Sequence, residues 1–397
     1  MLVLLAGAVI LSLSMGIRQT FGLFLGPMTQ VLETGRESFA FAMAIQNILW
    51  GAAQPFVGAV ADKYGSMRVL LAGTVAYALG LVLMANAGSV LDLHLGGGVL
   101  IGFAMSATSF SIVLGAIGRL VPEEKRSMAL GLASGGGSFG QFIMAPVGQQ
   151  LINSFGWSQA LMIMVLMIAF IAPLSLLLGA KPSKQGGGIG QSAEQTLREA
   201  LREAKAHRGY LLLTLGFFVC GFQVVFIAVH LPVFITDAGL NPSIGATALA
   251  LIGFFNIVGT YICGWLGGRY SKKYSLSTLY VLRSIVITVF IMVPLSETSV
   301  LVFASLMGLL WLGTVPLTSG LVAQIFGVRY MSTLFGIVFF SHQVGSFLGV
   351  WLGGWAFDAT GSYDLIWYIS IFLGIVAGLL HLPIAEQPVS RLSEQTA

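Results

Sequence analysis

The sequence has 397 residues, of which 56% are hydrophobic and only 9% are charged. Soluble domains carry roughly 25% charged residues, so this composition excludes a water-soluble globular protein and indicates a chain that folds in a lipid bilayer. The net charge of +4 does not indicate nucleic-acid binding, because the basic residues are distributed over loops between apolar segments rather than gathered in one patch.

Twelve apolar runs, each about long enough to cross a bilayer as a helix, follow one another along the chain. They cover residues 3–28, 39–61, 67–87, 94–117, 128–152, 158–180, 210–235, 243–267, 275–295, 299–325, 333–356 and 364–384. The sequence has none of the alternating segments of about ten residues that are typical of a membrane β-barrel. We therefore expect an all-α integral membrane protein with twelve transmembrane helices.

A polar segment separates the first six spans from the last six. It contains Gly186, Gly187 and Gly188 and then a charged helical pattern from Gln191 to Arg208. We expect three parts: an N-terminal six-helix bundle at 1–180, a cytoplasmic linker with an amphipathic surface helix at 181–209, and a C-terminal six-helix bundle with a short cytoplasmic tail at 210–397.

The basic residues predict the orientation of the chain. With the first residue inside, sixteen of the nineteen Lys and Arg residues lie in inner loops, the linker or the tail, Arg36 alone lies in an outer loop, and Arg18 and Arg283 lie within spans. By the positive-inside rule, we expect a multi-pass protein of the cytoplasmic (inner) membrane with both termini in the cytoplasm.

The two halves of the chain resemble each other at a nearly constant offset. An offset of 205 or 206 pairs Gly16, Phe21, Pro27, Gly58, Lys63, Tyr64, Gly102, Gly131, Gly140, Phe142, Gly148 and Gly156 with Gly221, Phe226, Pro232, Gly264, Arg269, Tyr270, Gly308, Gly336, Gly345, Phe347, Gly353 and Gly361. We interpret this as two six-helix repeats, an arrangement that suits a transporter whose halves rock against each other.

The loop after the second span contains a spaced motif. Gly58 and Asp62 are followed by Lys63, Gly65 and Arg68. We expect Gly58 to allow close helix approach, Asp62 to cap a helix or pair with a base, and the basic residues to anchor the inner face. This pattern resembles the loop signature of the major facilitator superfamily, which implies the major facilitator fold and a gating role for the loop.

The second copy of this motif includes Arg269, but Gly268 stands where Asp62 stands in the first copy. The acid has been lost. We therefore expect the gating chemistry to be concentrated in the first half of the chain.

Within that superfamily, the chain resembles the monocarboxylate porters and the bacterial oxalate/formate exchangers over its whole length. The resemblance is carried by the run Gly16-Ile-Arg18-Gln19-Thr-Phe21-Gly22, by the pattern Arg126, Gly131 and Gly140, and by Gly253-Phe-Phe-Asn256. That group often has an arginine in the eighth span, where this chain has Thr260. The role of that arginine is therefore not transferred.

Two arginines lie inside predicted spans, while all fifteen acidic residues lie outside the spans or, as Asp364 does, at a span end. A charged residue within the membrane costs about 2.5 kcal/mol or more and is by default a functional hypothesis. Because guanidinium binds carboxylate bidentately, Arg18 is predicted to bind an anionic substrate; the alternative is that it caps backbone carbonyls at a helix break. Arg283 is a further candidate, with snorkelling to the inner face as its alternative.

Other polar residues within the spans complete the predicted substrate site. His342 is a candidate for substrate binding or proton transfer, with a packing role as its alternative. The amide candidates are Gln19, Gln46, Gln141, Gln223, Asn256 and Gln343; each is individually as well suited to holding helices together.

The sequence contains no ATP-binding motif, no cluster of metal ligands and no nucleophile–base pair, so no enzyme activity, metal or cofactor is expected. The run from Gly135 to Gly140 lies inside an apolar span and is interpreted as a helix-packing face. We expect a monomeric secondary transporter of a small organic anion, a monocarboxylate, driven by a proton or a counter-anion. The alternative is a proton-driven exporter of drugs or amphipaths.

Overall fold

The computed structural model describes residues 2–120, 123–179, 195–327 and 330–390. The tether at 186–188 and the tail beyond residue 390 lie outside these ranges. In the first half the helices are α1 Leu2–Gln19, α2 Phe21–Val31, α3 Arg36–Tyr64, α4 Ser66–Ala85, α5 Val90–Leu93, a π-helical segment His94–Leu100, α6 Ile101–Thr108, α7 Phe110–Leu120, α8 Glu123–Ala169 and α9 Ile171–Leu176.

The second half repeats this arrangement after a short helix in the linker. Its helices are α10 Leu197–Ala206, α11 Arg208–Asp237, α12 Pro242–Arg269, α13 Lys272–Met292, α14 Glu297–Leu310, α15 Thr314–Phe326, α16 Met331–Thr360 and α17 Asp364–His381. The linker helix α10 is shorter than the predicted pattern from Gln191 to Arg208. Thr196 caps its N-terminus, and His207 is the N-cap of the next helix, α11.

The cap of α10 is reciprocal. The Thr196 hydroxyl accepts a hydrogen bond from the Glu199 backbone N–H at 3.3 Å, and the Glu199 carboxylate accepts one from the Thr196 N–H at 2.7 Å. This second bond lowers the pKa of Glu199, because it favours the charged form. The capping box therefore sets where α10 begins.

The prediction of twelve transmembrane helices in two six-helix repeats is confirmed. Ten helical stretches of the described chain are long and apolar enough to cross a membrane. One of them, Gly135–Leu176, contains two spans, because Gly156 has non-helical backbone angles (φ 80°, ψ 164°). The remaining span is α3, in which the amides Gln46, Asn47 and Gln54 lower the mean hydropathy.

Glycines hold equivalent helices together in the two halves. In the first half, a Cβ at Gly140 of α8 would lie 2.1 Å from the Ser12 carbonyl oxygen of α1. In the second, a Cβ at Gly345 of α16 would lie 2.0 Å from the Phe218 carbonyl oxygen of α11. The helix-packing interpretation of the glycine-rich run is thus confirmed at Gly140, and the repeat extends to individual backbone contacts.

The halves meet along α3 and α16, along α2 and α11, and along α8 and α12. We call the face that carries Arg36 the Arg36 face and the face that carries α10 the linker face. Contacts between α3 and α16 run from Gly354 against the Arg36 carbonyl, through Phe41 beside Phe347, to Gly51 against Gln343. These contacts therefore hold the halves together from mid-membrane to the Arg36 face.

Candidate functional site

Arg18 lies about halfway through the first span. It is near the end of α1, and Thr20 separates α1 from α2 with backbone angles of φ −80° and ψ −10°. The span runs from Leu2 to Val31, so at 1.5 Å per residue Arg18 is about 24 Å from its start. The short interruption carries the guanidinium toward α3 at mid-membrane.

The partners of Arg18 are neutral side chains. Its Nη2 donates a hydrogen bond to the Asn47 Oδ1 of α3, and its Nη1 donates to the Gln19 Oε1 at 3.4 Å. The guanidinium also lies over the Trp50 ring, 5.1 Å from the ring centroid. The Nε of Arg18 is buried and has no hydrogen-bond partner among the described residues. The predicted alternative, capping of backbone carbonyls, is therefore not the arrangement at Arg18.

No carboxylate of the described residues lies within ion-pair distance of Arg18. The acidic residues that the structure describes lie at helix ends, in loops or in α10. An unpaired cation in a low-dielectric environment attracts an anion strongly. The surroundings of Arg18 can accept a negatively charged group without displacing an existing ion pair.

A small cavity borders Arg18 between the two halves. Its walls come from α1, α2, α3 and α11, and its volume of about 10 Å³ is close to the space that one water molecule needs. The lining residues are Arg18, Gln19, Phe21, Gly22, Met43, Gln46, Asn47, Val225, Ala228 and Val229. A larger ligand would require the halves to separate, because Gly22 already lies against the backbone of Ala228 and Val229.

The cavity brings together three of the predicted substrate residues, Arg18, Gln19 and Gln46. The Gln46 Nε2 also donates to the Gly97 carbonyl at 2.8 Å, so Gln46 joins α3 to the π-helical segment. Asn47 is not among the predicted substrate residues, although it is a mid-span amide next to Gln46. It is the residue that holds Arg18, and its own Nδ2 is fixed by the Met43 carbonyl at 2.7 Å.

Two further predicted amides lie at mid-membrane but do not line the cavity. Gln343 of α16 packs against Gly51 of α3, and Gln141 of α8 packs against Gly253 of α12. Both contacts join the two halves. In each amide the Nε2 is buried without a hydrogen-bond partner among the described residues, so both have N–H donors available to a ligand or water.

Arg283 occupies a different environment from Arg18. It is fully buried, and its Nε and Nη2 donate to the Leu310 carbonyl at 2.8 and 2.6 Å, with Nη2 also donating to the Trp311 carbonyl. These carbonyls belong to the break between α14 and α15. Arg283 thus satisfies a helix break, and neither cavity contact nor snorkelling to the inner face describes its position.

Gln223 and Asn256 form hydrogen bonds between helices near Arg283 and the break between α14 and α15. Gln223 donates to the Ser370 carbonyl at 2.9 Å. The Asn256 Oδ1 accepts from the Leu312 N–H at 3.0 Å, and its Nδ2 donates to the Ser138 hydroxyl across the interface between the halves at 2.9 Å. Both amides therefore join helices, and neither is among the residues that line the cavity at Arg18.

His342 packs within the second half. Its ring lies 4.9 Å from that of Phe217 and 5.8 Å from that of Phe339, nearly parallel to the latter. Its Nδ1 is 3.4 Å from the Ser346 hydroxyl, and only 8% of its surface is exposed. This environment corresponds to the packing alternative of the sequence analysis.

The motif loop joins α3 to α4 at the linker face. Gly65 has a φ of 92°, which favours glycine, and its N–H donates to the Ala61 carbonyl at 2.9 Å. Lys63 lies near the Tyr64 ring and Arg269 lies over the Trp265 ring. The Asp62 side chain lies outside the described part of the structure, and Arg68 is exposed.

The close helix approach expected at Gly58 is not present. A Cβ at Gly58 would meet no described atom within 4 Å, and the same holds for its repeat partner Gly264. The two helices that carry the motif copies are therefore uncrowded at the linker face, whereas α3 and α16 are in close contact at the Arg36 face. Close approach does not occur because, in this arrangement of the halves, the side of α3 that carries Gly58 faces open space and not a neighbouring helix.

Comparison with known proteins agrees with this architecture. The chain is 27% identical over 380 residues to an uncharacterized MFS-type transporter, YcxA, of Bacillus subtilis, covering 93% of this chain and 91% of that protein. It is 24% identical over 371 residues to monocarboxylate transporter 13 of Rattus norvegicus, covering 93% and 85%. It is 27% identical over 366 residues to monocarboxylate transporter 11 of Homo sapiens, covering 90% and 77%.

Solved structures show the same fold at lower sequence identity. A bacterial homologue of the human lysosomal transporter Spinster superimposes with a TM-score of 0.76 at 15% identity, covering 96% of this chain and 95% of that one. A D-xylose–proton symporter gives 0.74 at 14% identity, covering 97% of each. The model of the Major Facilitator Superfamily matches residues 4–349. The chain therefore belongs to the major facilitator superfamily and is a multi-pass membrane transporter.

Proposed function

We propose that this transporter moves a small organic anion, a monocarboxylate, and that Arg18 binds the carboxylate group. The observation that carries the proposal is the guanidinium of Arg18 at mid-membrane, with an amide as its best partner and no carboxylate of the described residues within ion-pair distance. A substrate carboxylate would accept two parallel N–H···O bonds from such a group. It would also neutralise a charge that is costly to hold in the membrane.

The remaining groups of the site fit a small anion with a short apolar part. Gln19 and Gln46 add amide groups to the cavity, while Met43, Phe21 and Val225 supply apolar walls. The relatives named monocarboxylate transporters support the same class of substrate. Gln141 and Gln343 are proposed as secondary donors, since their unpaired N–H groups lie at the interface that must open for a substrate to enter.

Transport by alternating access is the proposed mechanism. The halves are in contact from mid-membrane to the Arg36 face, and the motif glycines face open space at the linker face. This supports a state that is closed on the Arg36 face. A rocking motion of the two repeats would exchange this state for its opposite, with a proton or a counter-anion supplying the driving force.

The membrane placement follows the charge distribution. We propose that the linker face is cytoplasmic, with both termini on that side of the inner membrane, because basic residues concentrate there. We also propose that one chain suffices for transport, since it supplies both of the repeats that border the cavity at Arg18.

A drug or amphipath exporter is the rival function. Exporters of cationic drugs need a carboxylate near the substrate, and the described acids lie at helix ends, in loops or in α10. Arg18 would repel a cationic drug. Resistance to cationic drugs on overexpression would favour this rival.

The deciding experiment is a thermal-shift screen of purified protein against carboxylates of increasing size, followed by uptake into proteoliposomes. The matching amides serve as neutral controls. We expect stabilisation and uptake with one or more monocarboxylates and neither with its amide. Uptake with and without an imposed pH gradient separates proton coupling from anion exchange. Equal responses to an acid and its amide would refute the proposal.

A further inference from the structure

Arg36 connects the two halves at the Arg36 face. Its guanidinium forms a bidentate ion pair with Asp237 of α11, with N–O distances of 2.6 and 2.7 Å. It also lies over the Phe357 ring, 3.6 Å from the centroid. Arg36 belongs to the first half and both partners belong to the second, so this cluster can exist only while the halves are closed at this face.

A second acid strengthens the same contact. The Asp358 carboxylate accepts hydrogen bonds from the backbone N–H groups of Arg36 and Glu37 at 2.9 and 2.8 Å. It thus caps the N-terminus of α3, where a negative charge is favourable. The cap comes from α16, so α3 loses it when the halves separate. We call Arg36, Asp237, Asp358 and Tyr363 the latch.

A buried histidine is hydrogen-bonded to the latch. The Arg36 Nη1 donates to the Tyr363 hydroxyl at 3.0 Å, and that hydroxyl lies 3.1 Å from the Nδ1 of His230. The His230 Nε2 lies 2.8 Å from the Val350 carbonyl. His230 is 1% exposed, and Gly353 provides the space for its ring, since a Cβ there would lie 2.6 Å from Nε2.

These contacts suit a neutral imidazole. A carbonyl only accepts hydrogen bonds, so Nε2 carries a proton, and in the neutral ring Nδ1 accepts from the Tyr363 O–H. The bonds then run in one direction, from Arg36 to Tyr363, to His230 and to Val350. A proton on Nδ1 would remove the acceptor of the Tyr363 O–H and would place two cations, imidazolium and guanidinium, around one phenolic oxygen.

We propose that His230 is a proton-binding site that controls the latch, and that protonation of His230 releases Arg36 and opens the Arg36 face. This inference rests on the alternating-access mechanism proposed above and assigns its proton-sensitive step. Tyr363 contacts His230, and the charge of Arg36 acts on it through that hydroxyl. Asp237 pairs with Arg36, Asp358 caps α3 at Arg36 and Glu37, and Asp364 follows Tyr363 at the start of α17. A proton would thereby favour the state in which this face is open.

The size of the pH effect on opening follows from the linkage between proton binding at His230 and the equilibrium between the closed and open states. If the closed latch holds His230 neutral and the open state lets it protonate, the ratio of open to closed molecules rises as pH falls. One linked proton changes this ratio by at most about tenfold per pH unit. The closed state is thus favoured at high pH, and acid on the Arg36 face shifts the protein toward opening.

The test measures the distance between the halves by double electron–electron resonance in proteoliposomes, without substrate. Spin labels are placed at Gly88→Cys in the first half and Thr298→Cys in the second, both of which are exposed. The chain without these two substitutions serves as the labelling control. We expect the longer-distance population to grow as pH falls from about 8 to about 5, and His230→Gln to remove this dependence. His94→Gln, which changes another histidine on this face, should behave as the wild type.

A second variant keeps the proposal testable if His230→Gln does not fold. Tyr363→Phe retains the ring but breaks the connection between His230 and Arg36, and should also remove the pH dependence. Distances that do not change with pH in the wild type, or that change equally in His230→Gln, would overturn the proposal. Because no substrate is present, this outcome is separate from a failure of the carboxylate experiments.

Discussion

Gln223 accepts a hydrogen bond from Arg283 at 3.4 Å, and at the repeat offset of 205 residues Gln223 is the counterpart of Arg18. The first half therefore carries a cation at this position, while the second half carries an amide held by a cation from a neighbouring helix. That second cation, Arg283, donates hydrogen bonds to the carbonyls at the break between α14 and α15. The two repeats share a backbone arrangement, but at this position only the first places a guanidinium, bonded to side-chain amides, at the interface between the halves.

Replacing Arg18 by Gln should abolish transport without unfolding the protein. Hydrogen bonds to a charged group contribute about 1.5–3 kcal/mol each, so the loss of two such bonds should lower the affinity for a monocarboxylate by at least about 100-fold. Arg18→Lys keeps the charge but loses the planar pair of donors, and should retain part of the affinity. Binding is measured by thermal shift and transport by proteoliposome uptake; wild-type uptake in Arg18→Gln would exclude the carboxylate clamp.

Asn47→Asp should give Arg18 the internal carboxylate that it lacks. The new acid would pair with Nη2 where the amide now accepts, so a substrate carboxylate would meet a neutralised cation and a like charge. We expect at least about a tenfold loss of anion affinity, with thermal stability unchanged or higher. Asn47→Ser serves as the uncharged control. Unchanged affinity in Asn47→Asp would show that the anion binds elsewhere.

Arg283→Gln should act on stability rather than on anion recognition. It would leave the buried Leu310 and Trp311 carbonyls without their donor, at a cost of about 1–3 kcal/mol for each unsatisfied group. The apparent melting temperature in detergent should fall by several degrees, whereas Arg18→Gln should leave it nearly unchanged. A large loss of anion affinity in folded Arg283→Gln protein would contradict this assignment.

Alanine substitutions at glycines should separate close helix contacts from open positions. Gly140→Ala and Gly345→Ala would place a Cβ about 2 Å from a backbone oxygen, and overpacking costs about 1–3 kcal/mol or more. Gly135→Ala and Gly336→Ala, where no described atom lies within 4 Å, should be neutral or stabilising by about 0.5–1 kcal/mol. Thermal unfolding of the four variants measures the contrast, and equal melting temperatures would refute the packing interpretation.

The sequence predicted the architecture well because hydrophobic length and repeated glycines are local signals. Twelve spans, two repeats and the packing role of Gly140 are confirmed by the structure and the family match. Gly65 was predicted only as part of a motif, and its positive φ supplies the physical reason for that glycine. The expected close approach at Gly58 depends on how the halves are arranged, which no local pattern encodes.

The candidate site was harder to predict, because Arg18 and Arg283 look alike in the sequence. Each is a lone arginine in an apolar run, and the one that satisfies backbone carbonyls does so through residues 27 and 28 positions away. Asn47 could have been found as an amide in a mid-span position, but its partner could not. The connection from Arg36 to His230 joins residues almost two hundred positions apart and has no counterpart in any motif.

The sequence by itself determined that the chain spans the membrane twelve times, that its halves are repeats, and that two arginines but no acids lie in the interior of the spans. Hydropathy and spacing suffice for this because the bilayer acts on each segment separately. Only the tertiary structure decided which arginine binds side-chain amides and which binds backbone carbonyls, since these partners come largely from other helices. The guanidinium of Arg18 and the latch at Arg36 both lie where the two halves meet.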